Sequence, residues 1–151
     1  MGGERPLIPS PAVPASAIFV YGTLQRGEQR CGLWPRRPKH VERATVTGRL
    51  HDLGDYPALV KGSDRVLGEL WHIASDDLEV TLAALDKIEW YGQDGDDLYI
   101  RRVVACRTLA GAAATAFTYF YAKPYDIAST PVVVADRDGF CHWTQSRGSS
   151  P

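Results

Sequence analysis

A chain of 151 residues, 44% hydrophobic and 23% charged, has the length and composition of one globular domain with a real core. Its formal net charge of −1 supplies no basic field for nucleic acid or an anionic membrane, so neither is an expected partner. No apolar run approaches the ~20 residues of a bilayer span; the start, Met1 to Pro6, has no basic region leading into an apolar core, so no signal peptide is read and the cytoplasm is the expected compartment.

Residues 1–16 hold Pro6, Pro9, Pro11 and Pro14 among glycines and serines, which predicts a flexible, polyproline-type lead outside the catalytic unit. One domain is expected from 17 to 151. Residues 17–21, Ala-Ile-Phe-Val-Tyr, read as a short buried strand that Gly22 and Thr23 break at once. A strand running into Gly-Thr can present successive backbone N–H groups as a small anion nest, although Tyr-Gly-Thr is also an ordinary strand end. Residues 25–39 are irregular and basic, with Arg26, Arg30, Arg36, Arg37 and Lys39 between glycines and prolines. They read as a solvated surface loop, with a mobile loop that contacts the outer end of a substrate as the alternative.

Strands are expected at 44–52, 58–60 and 65–73, separated by turns at 53–57 and 61–64. Gly68-Glu69 inside the last marks a bulge or a close approach. Ser75 is the natural N-cap of a helix, with Asp76 and Asp77 in its favourable first turn. Leu78, Leu82 and Leu85 make an apolar helix stripe whose next place is Glu89, before Trp90, Tyr91 and Gly92 end the helix. A carboxylate on a buried helix face loses hydration and its pKa rises, which prepares a general acid or base near neutral pH. A solvated residue at a helix end is the plainer reading of the same position.

The acidic residues 92–97 read as a solvated turn, since the spacing does not extend to a calcium loop. Residues 99–108 and 114–122 form a hairpin around Gly111, with Thr115, Phe117, Tyr119 and Tyr121 on one face. The tail, about 127–151, shows no clear period. Three widely spaced cysteines, Cys31, Cys106 and Cys141, suit small buried hydrophobes in a reducing compartment. His40, His51, His72 and His142 have no ligand spacing, and no metal or organic cofactor is expected. The fold class is therefore α+β: a small, mostly antiparallel, barrel-like mixed β domain with one principal helix.

Four stretches in this order resemble the γ-glutamylcyclotransferase-like family: Phe19-Val20-Tyr21-Gly22-Thr23-Leu24, then residues 53–60 (Leu-Gly-Asp-Tyr-Pro-Ala-Leu-Val), then Val66-Leu67-Gly68-Glu69-Leu70-Trp71, and finally Leu85-Asp86-Lys87-Ile88-Glu89 followed by Tyr99-Ile100-Arg101. The resemblance covers about residues 18–121. It implies a barrel-like domain with a pocket at one end and a small γ-glutamyl substrate. The substrate's own α-amine would attack its γ-carbonyl, giving 5-oxoproline and a free amine, in a monomer or homodimer. It also implies Glu89 as catalytic acid/base, Tyr21, Gly22, Thr23 and Leu24 as the loop that binds the γ-glutamyl head, and Tyr56, Tyr99 and Tyr121 as pocket walls. Family members often carry Glu-Gly at the catalytic position, whereas Trp90 follows Glu89 here, which bears on the outer pocket and the leaving group. Glu69 is the rival carboxylate and reads as structural. Beside the cyclotransferase reading stand two alternatives: removal of a γ-glutamyl protecting group from a larger amine, and a non-catalytic ligand-binding module on the same fold.

Overall fold

The computed structural model describes residues 15–144. The proline-rich lead through residue 14 lies outside the described residues. The elements are β1 (Ala17–Val20), β2 (His40–Asp52), β3 (Pro57–His72), α1 (Ser75–Ile88), β4 (Tyr99–Thr108), β5 (Ala113–Tyr121) and β6 (Phe140–Cys141). Short 3-10 turns at Cys31–Leu33 and Pro124–Ile127 fall in the connections. The strands run in the order β1-β5-β4-β2-β3, and β1 pairs with β3 to close them into a five-stranded barrel. The β1–β5 pairing is parallel and the other pairings of the barrel are antiparallel, so the sheet is mixed.

Side-chain alternation along the strands divides the core in two. One face packs Phe19, Ala44, Val46, Leu50, Leu59, Val66, Leu70 and Ala116 together. The other carries Ile18, Val20, Trp71, Tyr99, Phe117 and Tyr119, and there Leu78, Leu82, Leu85 and Ile88 of α1 dock. The apolar stripe thus turns α1 onto the outside of the barrel. Thr81 and Leu85 are fully covered, and the Thr81 hydroxyl donates to the Asp77 carbonyl at 2.7 Å, so burying it leaves no unpaired group.

Two local expectations change, and the alternatives at Gly68 are decided. Residues 61–64 are not a turn between strands. β3 is continuous through them, and the ladder with β2 resumes at Asp64. Gly48 lies opposite Asp64 and Arg49 opposite Val60, so residues 61–63 are looped out as a bulge between those pairs. Gly68 marks a close approach and not a bulge: its register is unbroken, and an added Cβ would collide with the Val20 carbonyl oxygen and the Phe19 ring. Ser75 does not cap α1. Ala74 takes the N-cap without a side-chain bond, and the Asp77 N–H donates to the Ala74 carbonyl at 2.9 Å.

The tail is built into the barrel as far as Thr144, and residues 145–151 lie outside the described residues. Val133 N–H donates to the Leu50 carbonyl, and Asp52 N–H to the Pro131 carbonyl, each at 2.8 Å. β6 then adds to β3 in parallel, with Phe140 opposite Arg65 and Cys141 opposite Val66. Trp143 is 1% exposed, and its indole N–H donates to Asp52 Oδ1 at 3.0 Å. Its carbonyl accepts from Gln25 Nε2, which also donates to the Gly22 carbonyl, so the tail braces the turn after β1. Replacing Trp143 with Ala is expected to cost about 3–5 kcal/mol of stability in urea unfolding. A loss below about 1 kcal/mol would show that the tail only rests on the surface.

Candidate active site

The ends of β1 and α1 and the starts of β3 and β4 converge on a cavity of about 100 Å³. Tyr21, Gly22, Thr23, Leu24, Tyr56, Tyr99 and Glu89 line it, and so do Arg30 and Tyr119. Tyr121 does not reach it. That ring packs edge-on against Tyr99, with centroids 5.4 Å apart, and supports the wall from behind.

Residues 21–24 turn sharply because Gly22 sits against Pro57, where an added Cβ would come within 2.7 Å of the ring carbons. The carbonyls of this turn are tied into the protein. Gly22 O accepts from Gln25 N–H at 3.1 Å, Thr23 O from Arg30 N–H at 2.8 Å, and Leu24 O from the Trp34 indole at 3.0 Å.

The segment 25–39, expected as a solvated or mobile loop, is pinned at several points. Glu69 accepts from Arg26 N–H and Nε, both at 2.9 Å, and from the Trp71 indole at 3.1 Å. The Trp34 ring stacks on Trp71 with centroids 4.0 Å apart and 1° between planes. Glu69 is outside the cavity and acts as the anchor of this segment. Arg30, held by the same anchoring, faces the cavity; the basic composition of 25–39 was its only trace in the sequence.

Glu89 occupies the C-cap of α1, with its N–H donating to the Leu85 carbonyl at 2.8 Å. Burial pushes its carboxyl from 4.5 up to about 7, and the positive charge of Arg30 restrains the rise. Its place at the negative end of the helix dipole disfavours the charge further. Asp86, one turn earlier, fixes that end of α1. It accepts from the Tyr119 hydroxyl at 2.7 Å and from Arg101 Nη1 at 2.6 Å. The Arg101 guanidinium lies over the rings of Tyr91 and Phe117, 5.6 and 5.5 Å from their centroids.

The surrounding phenols stay protonated. Burial, with the Glu89 charge adding to it, raises Tyr21 and Tyr99 far above the ordinary phenol range. Burial and the bond to Asp86 do the same to Tyr119. Each hydroxyl already has an acceptor: Tyr21 donates to the Tyr119 carbonyl at 2.6 Å, Tyr99 to the Pro57 carbonyl at 2.7 Å, and Tyr119 to Asp86. They act as walls and braces, and among the groups lining the cavity Glu89 is the one whose pKa is brought near neutral.

Trp90 ends the helix in the left-handed region, with φ 56°. Its N–H donates to the Lys87 carbonyl and that of Tyr91 to the Asp86 carbonyl, at 3.2 and 2.8 Å. This is the Schellman pattern, usually closed by Gly. Beside the indole lies a second depression of about 340 Å³, which Trp90, Asp96, Asp97, Tyr121 and Asp126 help to line and which shares Leu98 with the cavity.

The family model for gamma-glutamyl cyclotransferase, AIG2-like, matches residues 18–143, which extends the likeness through Trp143. The chain is 31% identical over 106 residues to the gamma-L-glutamyl-butirosin B gamma-glutamyl cyclotransferase of Niallia circulans, covering 69% of this chain and 65% of that protein. It therefore spans less than two thirds of that relative's length. It is 32% identical over 110 residues to the gamma-glutamylcyclotransferase family protein YtfP of Escherichia coli, covering 72% of this chain and 85% of that one. Its fold is similar to the crystal structure of an AIG2-like protein from Mus musculus, with a TM-score of 0.60 at 23% identity, over 77% of this chain and 84% of that one.

Two measurements follow from this geometry. A carboxyl whose folded pKa lies above its unfolded value binds its proton more tightly in the folded state, so its contribution to stability is present below about pH 4.5 and is lost as pH rises through about 7. The stability of Glu89→Gln relative to the native chain is thus expected to be flat in acid and to improve by roughly 2–3 kcal/mol between pH 4.5 and 8. A flat difference across that range would mean a solvated carboxylate. At position 90, Trp90→Gly is expected to be more stable than Trp90→Ala by about 1 kcal/mol, because both lack the indole and only Ala strains the left-handed backbone.

Proposed function

The chain belongs to the AIG2-like gamma-glutamyl cyclotransferase family, and from that premise we propose that it releases 5-oxoproline and a free amine from a γ-glutamyl amide, with Glu89 moving the proton. The observation that carries this reading is a carboxyl with a pKa near 7 in a cavity edged by the glycine turn 21–24. The γ-glutamyl head lies in that cavity. Its α-carboxylate, or the oxyanion that develops on the γ-carbonyl, takes the backbone N–H groups of Gly22 to Leu24, whose carbonyls are engaged elsewhere. Arg30 adds a positive charge on the same side.

Glu89, ionised, takes a proton from the substrate's α-ammonium. The freed nitrogen attacks the γ-carbonyl carbon, and the amide C–N bond breaks as the five-membered lactam forms. Both protons lost by the ring nitrogen leave on the departing amine, the first by way of Glu89. No water enters the products. Ring closure is intramolecular, so holding the head in a bent conformation supplies much of the rate. A carboxyl near pKa 7 suits both halves, since it accepts from an ammonium and donates to a leaving nitrogen with little penalty either way.

A specific feature favours a larger, cationic leaving amine, as in removal of a γ-glutamyl protecting group. The depression next to the cavity combines the Trp90 and Tyr121 rings with Asp96, Asp97 and Asp126, against the single cation Lys123. Aromatic faces and carboxylates attract ammonium groups. The Niallia circulans relative is named for a γ-glutamylated butirosin, which is in keeping with that reading.

The test is 5-oxoproline release from a panel of γ-glutamyl amino acids, γ-glutamyl monoamines and γ-glutamyl polyamines. Release is expected, fastest for the polycationic members. Glu89→Gln, checked for folding by circular dichroism, is expected to lose at least about a hundredfold in kcat. In the native chain, kcat/KM is expected to rise with pH through about 7 as Glu89 of the free enzyme ionises. Product-like binding without turnover of any member would instead establish a binding module, and native-like kcat in folded Glu89→Gln would remove Glu89 from the chemistry.

A further inference from the structure

Strand pairing assembles a second cluster of chemically capable side chains away from the cavity. β2 and β3 set His40 directly opposite His72. Glu42 follows two residues along β2, on the same face by alternation. The two imidazoles stack, with centroids 4.1 Å apart and 16° between planes. Both aim Nε2 at one carboxylate oxygen: Glu42 Oε2 is 2.6 Å from His72 Nε2 and 3.5 Å from His40 Nε2. One ligand atom of each residue lies within 4.8 Å of the other two. The position is the barrel end where β1 begins, since Ala17 pairs with His72 while Val20, next to the cavity turn, pairs with Glu69.

We propose that His40, Glu42 and His72 form a binding site for a divalent transition-metal ion, with zinc as the best match. Two imidazoles and a carboxylate are a three-ligand zinc set that leaves the fourth tetrahedral position to water. The nitrogen donors favour zinc and its neighbours over magnesium and calcium. Zinc–ligand bonds of about 2.0–2.2 Å place tetrahedral ligands about 3.4 Å apart. His40 and Glu42 already stand at 3.5 Å, and the His72–Glu42 contact has to open by less than about 1 Å. The side chain of His40 is 60% exposed and that of Glu42 34%, so an ion can enter and the ligands can adjust without opening the fold.

The metal would join the first residue of β2 to the last of β3. These are the exit of the pinned segment that carries Arg30 and the entry to the helix that carries Glu89. The backbone already makes the same junction through Lys39 N–H to the His72 carbonyl at 2.7 Å. The ion would act as a clip on that junction, and no step of the cyclisation passes through it.

The experiment titrates zinc into the tag-free, chelator-stripped full chain by calorimetry and by competition with a chromophoric chelator. One zinc per chain is expected, with a Tm that rises as zinc increases. His72→Ala and Glu42→Gln are each expected to weaken binding by more than about tenfold. His40→Ala, on the most exposed ligand, is expected to weaken it as well with the metal-free fold unchanged, and His142→Ala serves as the control that retains it. Cobalt in place of zinc should give the intense visible bands of a four- or five-coordinate site. No saturable zinc binding, or binding of equal strength in a His40→Ala/His72→Ala double variant, overturns the proposal. Because 5-oxoproline release is read separately with and without zinc, failure of either proposal leaves the other testable.

Discussion

The candidate site depends on holding one end of one helix against the outside of a barrel. α1 docks through Leu78, Leu82, Leu85 and Ile88, but apolar contact alone fixes neither its rotation nor its slide. Asp86 does both. A hydroxyl from β5 and a guanidinium from β4 converge on its two oxygens, and the guanidinium is itself sandwiched over two rings. A partly buried carboxylate with two charge-directed partners tolerates little displacement, since losing either leaves an under-solvated charge. Glu89 follows three residues later, so the same clamp that satisfies Asp86 sets where the unsatisfied carboxylate stands. One acid has both oxygens engaged by hydrogen-bonding partners, while the other is pushed toward neutrality by burial.

The turn after β1 is the matching half, and its rigidity comes from far along the chain. Gly22 lets the backbone pass Pro57, Gln25 ties Gly22 to Trp143, and Trp143 reaches Asp52. Thr118 on β5 donates to the Phe19 carbonyl at 2.8 Å, so the strand leading into the turn is also held from its parallel neighbour. These are bonds to backbone carbonyls in a largely buried setting, where leaving a partner unmade costs on the order of 1–3 kcal/mol. The expected return is preorganisation: backbone N–H groups set in place before the substrate arrives need no reorganisation as charge develops.

Much of this could be read from local pattern, and the rest could not for identifiable reasons. The helix stripe and Glu89 follow from a 3.6-residue period, and β1 from a short run of β-branched and aromatic residues that Gly22 and Thr23 break. Residues 61–64 carry turn composition and still lie within β3: 61–63 bulge out and the ladder with β2 resumes at Asp64, a difference that local composition does not encode. Arg30 is invisible among five basic residues until Glu69, Trp34 and Trp71 fix the segment around it. The tail has no period because its residues fill gaps individually: Val133 and Cys141 in the barrel core, Trp143 over Asp52. His40 and His72 show no ligand spacing because their proximity is a property of register, and register is set by pairing along the whole β2–β3 ladder.

Trp90 joins these threads. The helix must stop directly after Glu89, and a Schellman stop needs one residue with positive φ. Glycine meets that demand at no steric cost, whereas a tryptophan incurs on the order of 1 kcal/mol of strain. What the chain obtains in return is an indole that lines the acidic depression beside the cavity, 44% exposed, with the Trp90 carbonyl accepting from Leu98 N–H at 2.9 Å. Leu98 lies on the boundary between the cavity and the acidic depression, so the strained residue and the wall between the two spaces are linked by a single hydrogen bond. Backbone strain accumulates where a side chain must be presented in one direction. Here the side chain is presented to the acidic depression, the feature on which the proposed preference for a cationic leaving amine rests.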